Sequence, residues 1–266
     1  MVDSNTNQEE QLKETLGKIK NTIVVLSGKG GVGKSTMATN IALGLAMKGY
    51  KTGLLDVDVH GPSIPTLLDL ENTEVMGDGK KIYPVEYNEN LKVISVGFMV
   101  QNSETPIIWR GPMKMSFIKQ MLSDVLWGDL DYLIVDCPPG TGDEPLSVIQ
   151  CLNDLTGCIV VTTPQKVAVV DVKKSVNFCK QLNKPIIGII ENMSGFICPE
   201  CNKYIEIFKT GGGEQMAKEM DVPFLGKIPM EVSIMEAGDS GIPFVEKYPD
   251  SQTTQKMNEI LDKITK

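Results

Sequence analysis

The sequence predicts a single doubly wound α/β domain built on a mostly parallel sheet. Three observations carry that prediction. Short runs rich in Val, Ile and Leu alternate with longer amphipathic stretches from Asn21 onward. Most of the short runs lack polar/apolar alternation, as expected of strands covered on both faces. A glycine-rich turn with the spacing G-x-x-x-x-G-K-[ST] separates the first such run from the first helical stretch.

In chain order the strand-like runs are residues 22–27, 52–57, 92–97, 132–136, 158–163, 185–191 and 223–228. Helix-like stretches cover 35–47, 113–127, 145–152, 168–182 and 213–220. No Pro/Gly/Ser linker and no internal repeat divides them, so residues 21–266 read as one domain behind a polar segment, 1–20. Two regions break the rhythm. Residues 59–90 form a long insertion with few apolar runs, and residues 194–210 form a second one carrying Cys198-Pro199-Glu200-Cys201. Long irregular segments in a compact domain tend to be functional.

The bulk numbers narrow the class. A chain of 266 residues can bury a full core, and 41% hydrophobic with 23% charged residues is ordinary for a globular protein. A net charge of −8 argues against a general nucleic-acid binder. No apolar run is long enough to span a membrane. The first twenty residues are polar and include Asp3, Glu9, Glu10 and Glu14. They resemble neither a secretion signal nor a mitochondrial presequence. They read as a solvated tail or a loose first helix, and the cytoplasm is the expected compartment. Thiols stay reduced there, so the six cysteines are expected to be free, metal-bound or catalytic. Cys137, Cys151, Cys158 and Cys179 fall at core-like positions, where cysteine acts as a small hydrophobe.

Gly28-Lys29-Gly30-Gly31-Val32-Gly33-Lys34-Ser35-Thr36 follows a strand and opens a helix, which is the context a phosphate loop needs. Glycines let backbone N–H groups turn inward around phosphates, and the helix N-terminus adds a positive dipole end. Lys34 is then expected to reach the β- and γ-phosphates of ATP, and Ser35 to ligate Mg²⁺. A plain glycine turn is the competing reading. Asp56 and Asp58 end the second strand, where α/β sheets place their ligands. They suit Mg²⁺ and an attacking water, or cap a helix instead. Asp136 ends the apolar strand 132–136, and a buried acid there needs a cation or a hydrogen-bond partner. It is expected to hold Mg²⁺ through water. Residues 138–143 read as a γ-phosphate switch, in which Gly140 can bring a backbone N–H near phosphate.

Cys198 and Cys201 are spaced to place two sulfurs on one metal. Zinc or an iron–sulfur cluster wants four ligands, and the chain offers no second C-x-x-C. Its single histidine, His60, lies in another loop. A twofold axis would copy the half-site and supply the missing thiolates. A labile bridging cluster, a structural zinc and a redox pair are the readings open to these two residues.

Lys29, inside the glycine turn, is the unusual feature. With it the chain resembles the deviant-Walker-A ATPases, which include MinD, ParA, the nitrogenase iron protein and the Mrp/ApbC cluster carriers. That resemblance implies that Lys29 reaches across a homodimer to the other subunit's nucleotide. It implies that Asp58 orients or activates the water, that Asp56 supports the site, and that Asn192 recognises adenine. Lys29, Lys34 and Asp58 form the implied catalytic set. The chain is most similar to the Mrp/ApbC family in residues 28–36, 56–63, 138–143 and 192–195 running on to the C-x-x-C. The similarity spans residues 21 to about 242 and implies a slow ATPase that binds a [4Fe–4S] cluster between two subunits. It implies loading by a cluster-donating scaffold and transfer to apo iron–sulfur proteins, with no nucleic-acid or membrane partner. Some relatives in that family have an N-terminal cysteine segment or an extra domain, and residues 1–20 contain no cysteine. The competing reading is a MinD- or ParA-like spatial switch with zinc at the cysteines. The stripe Met257, Ile260, Leu261, Ile264 has the helical spacing of either a docked helix or a membrane-seeking tail. A nitrogenase-like reductase separates its cysteine ligands along the chain, unlike this pair.

Overall fold

At the centre of the sheet lies β1 (Ile19–Ser27), whose run Ile23–Ser27 is buried on both faces. In the computed structural model it is flanked by β5 (Leu130–Asp136) and β6 (Gly157–Thr162), both parallel to it. The structure describes residues 10–79, 81–99, 111–152, 154–198, 200–201 and 203–266. The first nine residues of the expected polar tail lie outside them, as does Pro199 between the two cysteines.

Outward from β5 come β2 (Thr52–Asp56), β4 (Leu91–Ser95) and β3 (Val85–Asn88). Outward from β6 come β7 (Ile186–Glu191) and β10 (Phe224–Lys227). Only β3 is antiparallel among these paired strands, at one edge. The chain leaves β1 toward β2 and leaves β5 toward β6, in opposite directions. That reversal opens a crevice at the carboxyl ends of the strands, where α/β sheets bind ligands.

The register sets the acids in that crevice side by side. Asp56 pairs with Asp136 across β2 and β5, and with Ser95 across β2 and β4. Thr162 pairs with Glu191 across β6 and β7.

One face of the sheet is covered by α2 (Lys34–Met47), α3 (Ile64–Leu67), α8 (Val232–Asp239), α9 (Phe244–Lys247) and α10 (Gln252–Ile264). The other carries α4 (Gly111–Ser123), α5 (Asp143–Cys151), α6 (Lys166–Gln181) and α7 (Gly212–Glu219). All seven expected strands and all five expected helices are present. The four core-like cysteines are buried.

Four differences have local causes. A short first helix, α1 (residues 10–16), packs Leu12 and Leu16 onto the second core, and β1 starts at Ile19. The expected boundary at residue 20 therefore falls inside a strand. Helix α4 ends at Ser123, because residues 124–126 turn away to pair with Ile82. The insertion 59–90 holds α3 and the edge strand β3, too short to stand out in the pattern. The cysteine segment is a small hairpin of β8 (Phe196–Ile197) and β9 (Tyr204–Ile205).

Candidate nucleotide site and cysteine knuckle

The phosphate loop bridges β1 and α2. Gly33 has φ +81°, a left-handed conformation, and a Cβ there would stand 2.2 Å from Asn192 Nδ2. Both facts reserve the position for glycine. Gly28 is fixed by crowding instead: a Cβ would meet the Asp171 backbone of α6 at 2.5 Å. Gly30 and Gly31 have open space around them, and Gly31 has φ +78°. Val32 is buried against the first core, while the Thr36 carbonyl accepts from Asn40 at 2.8 Å.

Lys34 Nζ donates to Asp136 Oδ1 at 2.6 Å, lies 3.3 Å from Ser35 Oγ and stands 3.8 Å from Asp58 Oδ2. Burial acts to lower the Lys34 pKa, but the charges of Asp136, Asp58 and Asp56 outweigh it and leave it raised. Asp58 donates its backbone N–H to Asp56 Oδ1 at 3.0 Å, and its own Oδ1 accepts from the His60 backbone at 3.3 Å. Asp56 is fully buried and accepts Ser95 Oγ at 2.8 Å. Burial, with the Asp136 charge beside it, pushes the Asp56 carboxyl up to about 7. Burial also raises Asp136 despite its lysine.

The residues fit Mg²⁺. That ion uses one or two carboxylates plus substrate phosphates and water rather than a protein cage. Asp136 Oδ2 is buried without a hydrogen-bond partner among the described residues, and the Ser35 hydroxyl lies beside the same lysine. Three acids and a hydroxyl thus converge on one lysine at the strand ends.

Two expected groups are engaged elsewhere in the protein. The Gly140 N–H donates to the Ser27 carbonyl at 2.8 Å, so presenting it to a phosphate requires breaking that bond. Asn192 is nearly buried and donates Nδ2 to the Val32 carbonyl at 2.9 Å, which makes it a strut beneath the loop here. Lys29 is half-buried, and its carbonyl accepts from Ser27 Oγ at 2.9 Å. Among the described residues its ammonium has no ion-pair partner.

Ser95 escaped the sequence reading, although a polar residue ending an apolar strand was its signal. So did the pair His60 Nε2 and Glu144 Oε1, 3.0 Å apart, which ties the loop after β2 to the first turn of α5. Nothing in the spacing of residues 84 apart could have joined them.

The cysteines sit at the tip of the β8–β9 hairpin, closed by Cys198 N–H on the Lys203 carbonyl at 3.1 Å. The backbone N–H groups of Cys201 and Glu200, then the Cys201 side chain, donate to the Cys198 sulfur and hold its pKa down. These donors favour the Cys198 thiolate. Cys201 is exposed. Among the described residues no group of three His, Cys, Asp or Glu could hold a metal ion, so the knuckle finds no third ligand there. Tyr204, Ile205 and Ile207 beside it are exposed apolar side chains. No helix among the described residues is long and apolar enough to cross a membrane.

Comparison with known proteins agrees with this geometry. A family model described as "ParA: NUBPL iron-transfer P-loop NTPase" matches residues 18–265. An "Iron-sulfur cluster carrier protein" of Methanocaldococcus jannaschii is 51% identical over 257 residues, covering 97% of this chain and 88% of that one. The solved structure of a nucleotide-binding protein in complex with ADP from Archaeoglobus fulgidus superimposes with a TM-score of 0.77. It is 37% identical and covers 88% of this chain and 91% of its own. The cell division ATPase MinD of Pyrococcus furiosus, at 22% identity and TM-score 0.68, shares the fold; the alignment covers 92% of this chain and 98% of that one.

Proposed function

The chain belongs to the NUBPL iron-transfer P-loop NTPase family, and on that premise we propose that it is an ATP-dependent iron–sulfur cluster carrier. The cluster is its cargo: a [4Fe–4S] unit held between two copies of the chain and passed to apo iron–sulfur proteins. The single observation that carries this reading is the knuckle. Two cysteines stand on a hairpin tip, Cys201 exposed and Cys198 held toward its thiolate by the hydrogen bonds around its sulfur, with no third ligand among the described residues. A fourfold thiolate set needs a second knuckle, and a homodimer supplies it. The exposed Tyr204, Ile205 and Ile207 support a contact there.

ATP binds at the phosphate loop in this reading. Lys34 would exchange the Asp136 carboxylate for the β- and γ-phosphates, and the Ser35 hydroxyl and Asp136 would hold Mg²⁺. Mg²⁺, when bound, neutralises charge on the phosphates. Asp58, held by its own N–H on Asp56, orients a water toward the γ-phosphorus. Lys29 acts across the dimer. Hydrolysis is slow, and changes in the dimer alter how firmly the shared cluster is held. The relative named a carrier is far closer in sequence than MinD, which favours the carrier over a spatial switch.

The test is anaerobic reconstitution with iron and sulfide, followed by transfer to an apo-enzyme whose activity is regained. About four irons per dimer are expected for one [4Fe–4S] centre. Cys198→Ser and Cys201→Ser should each lose the iron and the transfer while still binding ATP. One tightly held zinc per dimer, no iron and no transfer would overturn the reading.

A further inference from the structure

Two consecutive residues at the end of β7 face in opposite directions. Asn192 donates to Val32 in the phosphate loop at 2.9 Å. Glu191 is wholly buried and points the other way, to the neck of the cysteine segment. Its Oε1 accepts the Ser194 hydroxyl at 2.5 Å and the Gly211 N–H at 2.9 Å, and its Oε2 accepts the Gly213 N–H at 2.6 Å. Ser194 opens the segment that carries Cys198 and Cys201, and Gly211 and Gly213 close it at the start of α7. The two sides of the neck also meet directly, Ser194 Oγ to Thr210 Oγ1 at 2.9 Å. Inside the hairpin the Tyr204 hydroxyl returns to the Ser194 carbonyl at 3.2 Å.

A buried carboxylate is costly unless its oxygens are satisfied. Here the donors come from both ends of a single excursion of the chain, so the carboxylate fixes the stem on which the knuckle stands. The same peptide unit joins it to the residue that props the phosphate loop. Asn192 is tied to this loop by its hydrogen bond to the Val32 carbonyl and lies so close to Gly33 that a Cβ there would stand 2.2 Å from its Nδ2, so a shift of the loop around a nucleotide is felt at Asn192. Asn192 cannot move far without moving Glu191.

We infer that Glu191 is a positioning residue that couples the phosphate loop to the cysteine knuckle: nucleotide binding changes the setting of Cys198 and Cys201 through the neck that Glu191 clamps. The inference rests on the reading of the phosphate loop as a nucleotide site and is independent of which metal the thiolates carry. Coupling of this kind is reciprocal, so a ligand at the knuckle alters nucleotide affinity by the same factor.

The experiment is the rate of alkylation of Cys198 and Cys201 by N-ethylmaleimide on the full-length, metal-free protein. It is followed by peptide mass, with and without saturating Mg²⁺ and a non-hydrolysable ATP analogue. The wild type should show a rate ratio of about fivefold or more, the lower bound of ordinary allosteric coupling. In Glu191→Gln and in Ser194→Ala the ratio should fall to within about twofold of unity, with analogue affinity held within about twofold of wild type. A clamp that only stabilised the fold would change both rates together and leave the ratio intact. Variants that keep the wild-type ratio, or a wild-type ratio of one, would overturn the inference. If Glu191→Gln does not fold, Ser194→Ala decides the matter alone. Failure of the wild type to take up iron would overturn the carrier reading and leave this ratio untouched.

Discussion

Lys34 and Asp136 form a buried ion pair at 2.6 Å between the start of α2 and the end of β5. The lysine is 6% exposed and the aspartate 0%. The cation proposed to bind phosphate and the acid proposed to hold magnesium thus pair with each other, and they join α2 to the central sheet.

Removing one partner of such a pair strands the other charge. Lys34→Ala should therefore destabilise the protein, measured without nucleotide, by about 3–5 kcal/mol. Adding Asp136→Asn to it should restore part of that loss, because the orphaned charge is gone. Urea unfolding of the two single variants and the double variant measures the coupling. Lys34→Ala as stable as wild type would show that the pair is not closed in solution. Loss of ATPase activity in Lys34→Ala means little until this is known.

Asp56 gives a pH dependence with a definite sign. Its carboxyl is pushed up to about 7 in the folded chain by burial and by Asp136. The unfolded value is about 3.9. The folded protein therefore keeps a proton that the unfolded chain releases, and stability from this group is full below about pH 4 and falls as pH rises to about 7. Asp56→Asn removes that loss. Without nucleotide or Mg²⁺ it should raise the melting temperature at pH 8, and the gain should shrink steadily toward pH 5. An equal shift at every pH would mean that Asp56 titrates normally.

Lys29 should act in trans. Among the described residues its ammonium has no ion-pair partner, and the half-buried residue stands inside the glycine turn of the phosphate loop. Lys29→Ala and Asp58→Ala are each expected to lose ATP hydrolysis. Mixed, they form a dimer in which one site combines an intact Lys29 from one chain with an intact Asp58 from the other. Partial activity should return, up to about a quarter of wild type by random pairing of two sites. No recovery, with subunit exchange confirmed by mass, would confine Lys29 to its own subunit.

How much of this could be read beforehand follows from where each interaction lives. Asp136 was legible because an acid ending an apolar run has few physical excuses. Gly33 was legible because a phosphate loop demands left-handed backbone. The three-way clamp of Glu191 was not, since its partners stand 3, 20 and 22 residues away and two of them are backbone N–H groups that any residue possesses. For Asn192 the family resemblance implies an adenine contact, while the fold places its amide on the Val32 carbonyl. The edge strand β3 hid in a segment too short for its period to be seen. Periodicity speaks for faces covered along a whole element, and is silent about single long-range polar contacts.

The C-terminal stripe decides between a docked helix and a membrane-seeking one. In the fold, α10 lies on α2 and β10, with Met257, Ile260 and Leu261 buried. Leu261 covers Gly44 so closely that a Cβ on that glycine would stand 2.5 Å from Leu261 Cδ1. Two opposed effects then compete in Gly44→Ala. Alanine gains about 1 kcal/mol of helix propensity over glycine, while overpacking a filled core costs about 1–3 kcal/mol. The clash should win or cancel the gain. Leu261→Ala should cost about 2–5 kcal/mol as a cavity variant. In the double variant the new methyl fills part of the space that leucine vacated, so the two losses should not add. Urea unfolding of all three reads this directly, and sedimentation with anionic vesicles should leave the wild-type protein in the supernatant with or without ATP. A Leu261→Ala variant within about 0.5 kcal/mol of wild type, together with ATP-dependent sedimentation, would mean that the helix leaves its groove for a membrane. The spatial-switch reading would then regain its ground.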